Sequence, residues 1–111
     1  MVEFRVFKTT EFDKDYTKLD TSEKKIADKI LNQLAERGDE VGKPLSRLGS
    51  FREKRLRDKR IYFLVYKNVL VILAIAISDK KAQQATINKI LVDLSKYQKY
   101  VFDTLREKGL I

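Results

Sequence analysis

The chain has 111 residues, which is enough for one domain around a single hydrophobic core and too few for two. It contains no cysteine and no histidine, which excludes disulfides, thiolate chemistry, an imidazole proton shuttle and the commonest transition-metal ligand. The net charge is +8, and residues 43–60 alone carry +6 of it, so the sequence predicts a polyanionic partner for one short segment.

The first half of the chain predicts a strand followed by a pair of helices. Apolar and charged residues alternate over residues 2–7, a pattern typical of a short strand. A first helix is indicated by apolar residues at helical spacing, namely Phe12, Tyr16 and Leu19. A second amphipathic helix is expected to begin after an N-cap at Thr21 or Ser22 and to end at Gly38.

The second half predicts three strands after a loop that contains the only proline, Pro44. The predicted strands are residues 51–57, 60–67 and 69–77, and their very short connections at Asp58-Lys59 and Lys67-Asn68 indicate antiparallel hairpins. The last two are apolar on both faces, which predicts a central position in the sheet with cover on each side.

Two further features of this half carry structural expectations. Phe51 and Leu56 have opposite parity, so a regular strand facing one core cannot bury both, and a bulge or kink is expected between them. After the last strand, Ser78-Asp79 is expected to cap one long final helix that stops at Gly109. The expected class is therefore α+β: a strand and a two-helix hairpin packed on an antiparallel meander, with a C-terminal helix, in a single domain over residues 1–111.

Residues 52–60 are the most informative segment, because six of these nine residues are basic and an apolar strand follows directly. Clustered guanidinium and ammonium groups on a rigid sheet favour phosphate binding, with arginine suited to bidentate contacts. The alternative is a solvated edge strand whose charges prevent aggregation. Lys80 and Lys81, which open the predicted final helix, either extend the anion site or form an ordinary exposed first turn.

Other candidate residues are open to two interpretations each. Tyr62 and Tyr66 either stack a base or donate a proton, or they are core residues. Glu53 is either a base or an ion-pair partner of its cationic neighbours. No nucleotide-binding loop, paired-carboxylate site or metal-ligand spacing appears, so neither a cofactor nor a metal is expected. No signal peptide or membrane-spanning apolar run appears, and a cytoplasmic location without membrane contact is expected.

The order of predicted elements resembles the RelE/ParE superfamily, the toxins of type II toxin–antitoxin modules. The pattern Gly42-Lys43-Pro44-Leu45-x-x-Leu48-Gly49, the basic strand and the apolar strand that runs into Lys80-Lys81 carry this resemblance, which covers roughly residues 2–95. It implies an antitoxin that wraps the sheet in a hetero-oligomer. It also implies, for the RelE-like branch, metal-independent cleavage of mRNA in the ribosomal A site by attack of the 2′-hydroxyl on the adjacent phosphate.

The resemblance also implies site residues. The family's basic pair on the first meander strand matches Arg52 and Lys54 or, shifted by one, Glu53 and Arg55. The implied catalytic residues are Arg55, Arg60, Lys80, Lys54 and Tyr62. Together with the clustering of charge over residues 43–60, the resemblance predicts nucleic-acid binding by Arg52, Arg57, Lys59, Lys81, Lys43 and Arg47. RelE-like members commonly place an aromatic or histidine acid–base residue after the last strand, whereas residues 83–87 here read Gln-Gln-Ala-Thr-Ile.

Three functions therefore remain open at the level of sequence. The favoured hypothesis is a ribosome-dependent mRNA endonuclease that inhibits translation. A ParE-like inhibitor of DNA gyrase without nuclease chemistry is the second, and a non-toxic RNA-binding module on the same scaffold is the third, because a fold alone does not determine function.

Overall fold

The computed structural model describes residues 3–45 and 49–111, and it confirms the expected α+β class. Val2, from the predicted first strand, and Arg47, a predicted nucleic-acid-binding residue, lie outside the described residues. The elements in chain order are β1 (Arg5–Lys8), α1 (Thr10–Thr17), α2 (Thr21–Arg37), β2 (Lys43–Pro44), β3 (Phe51–Leu56), β4 (Lys59–Tyr66), β5 (Val71–Asp79), α3 (Gln83–Val92) and α4 (Leu94–Glu107). A 3₁₀ turn, Lys67–Val69, joins β4 to β5 where a two-residue turn was predicted.

The five strands form one mixed sheet in the order β1-β5-β4-β3-β2. β1 pairs with β5 in parallel, and the other neighbours pair antiparallel. The prediction that the two most apolar strands occupy the centre is confirmed, since β4 and β5 each have a neighbour on both sides. β2, within the predicted loop, is a two-residue strand that sequence reasoning missed.

Helices cover the sheet on both faces and create two hydrophobic cores. On the α1–α2 face, helix residues such as Phe12, Ile30 and Leu34 pack against Ile61, Phe63 and Ile72 of the sheet. On the α3–α4 face, the buried residues include Tyr62, Leu64, Leu73, Ile90, Val101 and Leu105. Nowhere in residues 3–45 or 49–111 is there a helix with the length and apolar character needed to cross a bilayer.

The start of α2 lies one residue earlier than the predicted caps. Asp20 is the N-cap, and its carboxylate accepts a hydrogen bond from the Glu23 backbone N–H at 2.7 Å. The Glu23 carboxylate in turn accepts from the Asp20 N–H at 3.1 Å, which completes a capping box. The predicted helix stop at Gly38 is confirmed, since Gly38 is the C-cap of α2.

The single long final helix was predicted incorrectly. Ser78 and Asp79 belong to β5, and the helical segment is divided at Asp93 into α3 and α4. Asp79 still supports the chain near the start of α3, because its carboxylate accepts a hydrogen bond from the Ala82 N–H at 2.9 Å. Sequence periodicity continues through the break, so it did not reveal the change of direction.

The expected bulge in the first meander strand is absent, and the bulge lies in β5 instead. β3 pairs with β4 in an unbroken register from Phe51↔Leu64 to Leu56↔Lys59. Both faces of the sheet are covered, so Phe51 is buried on the α3–α4 face and Leu56 on the α1–α2 face without any irregularity. In β5, Tyr62 pairs with Ala76 whereas Phe63 pairs with Ala74, which leaves Ile75 as the extra residue.

The β5 bulge is held by the segment that follows β1. The Thr9 hydroxyl donates to the Ile75 carbonyl at 2.7 Å, and the Asp15 carboxylate accepts from the Ile77 N–H at 3.0 Å. These side chains supply partners where β1 has already ended at Lys8. The bulge reverses the alternation beyond it, so that Ile77 enters the α1–α2 core and Ser78, paired with Arg60, lies on the α3–α4 face.

We predict that Thr9→Val lowers the free energy of unfolding by about 1–2 kcal/mol, measured by urea denaturation. Valine keeps the shape of the side chain but loses the bond to the bulge and the N-cap bond to the Phe12 N–H. Thr17→Val is the matched control, because the exposed Thr17 hydroxyl bonds only to the Lys14 carbonyl. Equal stability losses in the two variants would show that Thr9 does not hold the bulge.

Candidate phosphate-binding site

Basic side chains of β3, of β4, of the turn between them and of the two residues after β5 collect at one end of the sheet. The β3–β4 turn consists of Arg57 and Asp58, one residue earlier than predicted, because Leu56 pairs with Lys59. Lys59 also pairs with Asp79, the last residue of β5. The exposed Lys80 and Lys81 therefore continue from the same end of the sheet as the turn.

Arg55 and Arg60 face each other directly across the β3–β4 ladder on the α3–α4 face. Directly opposite residues have Cβ atoms about 5 Å apart, and like charges in such a pair destabilise the sheet. The Arg55 Nε donates to the Arg57 carbonyl at 2.8 Å, and an Arg60 Nη donates to the Lys59 carbonyl at 3.0 Å. Arg55 has no acidic partner among the residues that the structure describes. The pair is thus a concentration of positive charge that an anion would relieve.

Glu53 lies beside this pair as a buried carboxylate that has cations nearby but, within residues 3–45 and 49–111, no aligned hydrogen-bond donor. It neighbours Arg55 on the same face of β3, and its residue is only 2% exposed. Its Oε1 is 3.4 Å from the Lys43 Nζ and 4.0 Å from the Arg60 Nε, yet neither carboxylate oxygen has an aligned hydrogen-bond donor among the described residues. Because buried carboxylates normally accept hydrogen bonds, this one points to a functional role.

An open cleft of about 410 Å³ lies over these residues. Its lining residues are Gly42, Lys43, Glu53, Lys54, Arg55 and Arg60. Gly42 has a φ of +70°, and a Cβ there would collide with the Glu53 carbonyl, so glycine permits the loop to approach β3. The Lys43 side chain is 73% exposed, which leaves it able to move away from Glu53 toward a ligand.

Two of the predicted nucleic-acid-binding residues are instead engaged in holding the fold. The Arg52 guanidinium donates to the Val41 carbonyl at 2.9 Å and to the Gly42 carbonyl at 3.0 Å, and so fixes the loop before β2. The Lys59 ammonium donates to Glu23 at 2.7 Å, which ties the β3–β4 turn to the start of α2. Neither side chain lies on the cleft side of the sheet.

The remaining predicted cations have different positions relative to the cleft. Lys43 and Lys54 line it, although alternation places the Lys54 side chain on the α1–α2 face, opposite Ile61. Arg57 lies in the turn with a φ of +56°, an unfavourable value for a residue other than glycine. Lys80 and Lys81 are exposed beyond the end of β5.

Of the two tyrosines of β4, Tyr62 is a core residue that offers no exposed ring for stacking a base, and Tyr66 is partly buried. Tyr62 is 0% exposed, and its hydroxyl lies 2.8 Å from the Ser78 Oγ. Burial raises the pKa of Tyr62. Tyr66 packs into the α3–α4 core at the far end of β4, where burial raises its pKa to about 12.

Ser78, which pairs with Arg60, is the neighbour of the site that sequence reasoning missed, since it was assigned to a helix cap. Only the β5 bulge turns it to the face of Arg60, and a bulge in a continuous apolar strand leaves no clear sequence signal. Across the described parts of the chain, no group of three or more acidic side chains is arranged to hold a metal ion.

Comparison with solved structures shows a RelE-like toxin fold. The toxin–antitoxin complex RelBE2 from Mycobacterium tuberculosis matches with a TM-score of 0.62 and 20% identity, over 71% of this chain and 100% of that one. A mutant of E. coli RelE in the free state matches with a TM-score of 0.64 and 19% identity, over 76% and 90% of the two chains. The same mutant bound to an antitoxin RelBc peptide matches with a TM-score of 0.64 and 16% identity, over 79% of this chain and 95% of that one.

No protein-family model and no curated protein matches the sequence. At identities of 16–20%, the structural likeness shows the fold and leaves the function to be argued from the site.

We predict that the Glu23–Lys59 ion pair makes stability depend on pH in a defined direction. The Lys59 hydrogen bond, followed by that from the Asp20 N–H, holds the pKa of Glu23 below its ordinary value of 4.5. The same bond raises the pKa of Lys59 above 10.5. The ion pair therefore contributes fully to the free energy of unfolding between these two ordinary values. Its contribution is lost as the pH falls through the lowered pKa of Glu23 or rises through the raised pKa of Lys59.

Urea denaturation of wild type and Glu23→Gln checks this expectation. The wild type should be the more stable protein at neutral pH, and the gap should narrow as the pH falls below about 4.5. Glu36→Gln, at an exposed position of α2, is the control and should change stability little at any pH. A gap of the same size at about pH 3 and at neutral pH would contradict the role of the ion pair.

Proposed function

We propose that this chain is the toxin of a type II toxin–antitoxin module and that it cleaves mRNA in the ribosomal A site without a metal ion. The RelE-like fold supports the toxin role, and the cation cluster supports an RNA target. The single observation that carries the proposal is the Arg55–Arg60 pair beside the buried Glu53 carboxylate. Such a site offers both charge stabilisation and a proton acceptor within one cleft.

The proposed reaction is attack of a 2′-hydroxyl on the adjacent phosphorus. The new bond joins the 2′-oxygen to phosphorus, the bond from phosphorus to the 5′-oxygen breaks, and a 2′,3′-cyclic phosphate remains. Arg55 and Arg60 stabilise the negative charge that develops on the phosphorane. The 2′-hydroxyl proton passes to Glu53, and the leaving 5′-oxygen takes a proton from an ammonium group at the cleft, for which Lys43, on the same face as Glu53, is the proposed donor.

Glu53 takes part in this reaction only if its carboxylate becomes accessible. In the free protein it is buried beneath the exposed Lys43 side chain, whose Nζ lies 3.4 Å away. A phosphate in the cleft attracts Lys43 as well as Arg60, and movement of Lys43 uncovers the carboxylate. Lys43 therefore acts as both a phosphate ligand and a cover for the base. Lys80, Lys81 and Arg57 contribute longer-range attraction for the RNA backbone.

The proposed antitoxin is an acidic partner whose chain crosses this end of the sheet and neutralises the same cations, in the cytoplasm and away from membranes. The toxin–antitoxin structures that share the fold support such a partner. Gyrase inhibition without nuclease activity is the second candidate function. It is favoured by the burial of both proton-transfer candidates, Glu53 and Tyr62, in the free protein.

We predict that Arg55→Ala and Arg60→Ala each reduce mRNA cleavage about 100-fold, because each removes one charged donor to the phosphorane. Inducible expression followed by primer extension on translated mRNA measures this effect. Arg37→Ala is the control, because Arg37 is exposed at the end of α2 and lies beside Lys67, remote from the cleft. Full cleavage by both site variants would show that the site is wrongly assigned.

A second variant separates catalysis from binding. Glu53→Gln preserves the shape of the side chain and removes the proton acceptor, so cleavage should fall by about 10²-fold or more while growth arrest by ribosome binding weakens less. If the Glu53→Gln variant cleaves mRNA at the wild-type rate, Glu53 is not the base. Growth arrest with intact mRNA and a DNA-damage response would instead favour gyrase inhibition, and no growth effect would favour the RNA-binding module.

A further inference from the structure

The hydroxyl groups of Tyr62 and Ser78 form a buried pair next to the proposed phosphate-binding cations. Their oxygens are 2.8 Å apart, and the two residues are 0% and 7% exposed. Ser78 pairs directly with Arg60 across the β4–β5 ladder, so Arg55, Arg60 and Ser78 form one row across three strands on the α3–α4 face. The residues of the hydroxyl pair thus neighbour the Arg55–Arg60 pair in the sheet.

A count of hydrogens shows that this pair has one donor to spare. Each hydroxyl carries one hydrogen, and the bond between the two oxygens uses one of them in either orientation. Within residues 3–45 and 49–111, neither hydroxyl contacts a second acceptor. Donors in buried positions are normally matched by an acceptor, so the remaining hydrogen is suited to a ligand.

The chemistry of the two groups indicates which hydroxyl keeps that donor. Burial raises the pKa of Tyr62, so its phenol stays protonated at neutral pH. Either oxygen can be the donor in this bond, and because a phenol is a stronger hydrogen-bond donor than an aliphatic alcohol, we take Tyr62 to donate to the Ser78 Oγ. The Ser78 hydrogen then points away from Tyr62, and Ser78 is the residue that lies next to Arg60 at the open end of β5.

The β5 bulge is the reason that Ser78 occupies this place. With regular alternation after Ala74, Ser78 would face the α1–α2 core and Ile77 would face the cations. The extra residue exchanges these positions, and Thr9 and Asp15 stabilise the exchange. Bulges commonly redirect a side chain next to a functional site.

We propose that Ser78, supported by the Tyr62 hydroxyl, is a neutral hydrogen-bond donor to the RNA phosphate that Arg55 and Arg60 bind. This inference rests on the proposed phosphate-binding function and adds a ligand that none of the cations supplies. Ser78 contacts the phosphate, whereas Tyr62 is a positioning residue that acts through Ser78. Because the donor is neutral, its contribution to affinity should be insensitive to salt, unlike that of the arginines.

The test is binding of a fluorescein-labelled single-stranded oligouridylate to the full chain, followed by fluorescence anisotropy. Ser78→Ala should weaken binding about tenfold, as expected for loss of one hydrogen bond to a charged group. Tyr62→Phe should weaken it less, and Tyr62→Phe/Ser78→Ala should match Ser78→Ala. Ser78→Ala alone leaves the buried Tyr62 hydroxyl without a hydrogen-bond partner. If that loss unfolds the protein, the double variant, which removes both hydroxyls, decides the test.

The controls are Ser95→Ala, at an exposed position of α4, and Tyr16→Phe, which loses a hydroxyl bonded to Asp28 on the opposite side of the molecule. Both should bind as wild type. If the folded double variant also binds as wild type while Arg60→Ala binds weakly, the inference is overturned and the phosphate site stands. If Arg60→Ala also binds as wild type, or if wild type does not bind the oligouridylate, the inference and the proposed site fail together.

Discussion

One local constraint, the extra residue in β5, determines which residue of that strand lies beside Arg60. Regular alternation through β5 would bury Ser78 among apolar residues and turn Ile77 toward the arginines. The bulge at Ile75 prevents this, and it exists because Thr9 and Asp15 satisfy the backbone groups that β1 leaves unpaired. The short first strand and the helix that follows it therefore determine which β5 side chain lies beside Arg60 on the opposite face of the sheet.

A second constraint is electrostatic, because the site combines two features that oppose folding. Arg55 and Arg60 place like charges directly opposite each other, and Glu53 buries a carboxylate without an aligned donor. Each feature alone destabilises the folded state, and the attraction between the carboxylate and the arginines offsets part of that destabilisation. Arrangements that sacrifice stability in this way are typical of binding and catalytic sites, where a ligand supplies the missing interaction.

Sequence patterns predicted the class of fold and the central strands, because burial on both faces makes β4 and β5 continuously apolar. They failed where side chains from distant parts of the chain decide the local structure. The bulge was expected in β3 on the assumption of one covered face, yet Phe51 and Leu56 are buried on opposite faces. The basic segment was correctly recognised as a cluster, but composition alone did not separate Arg55 and Arg60 from Arg52 and Lys59, whose partners lie in distant segments.

The claim that Arg55 and Arg60 form an anion site is tested most directly by the free energy of unfolding of wild type and Arg55→Gln in low-salt buffer, with and without tripolyphosphate. Without the anion, the variant should be at least as stable as wild type, because one of two opposed charges is gone. With tripolyphosphate, wild type should gain stability by binding and the variant should gain clearly less. A variant that is less stable without the anion and gains as much from it as wild type would contradict the claim.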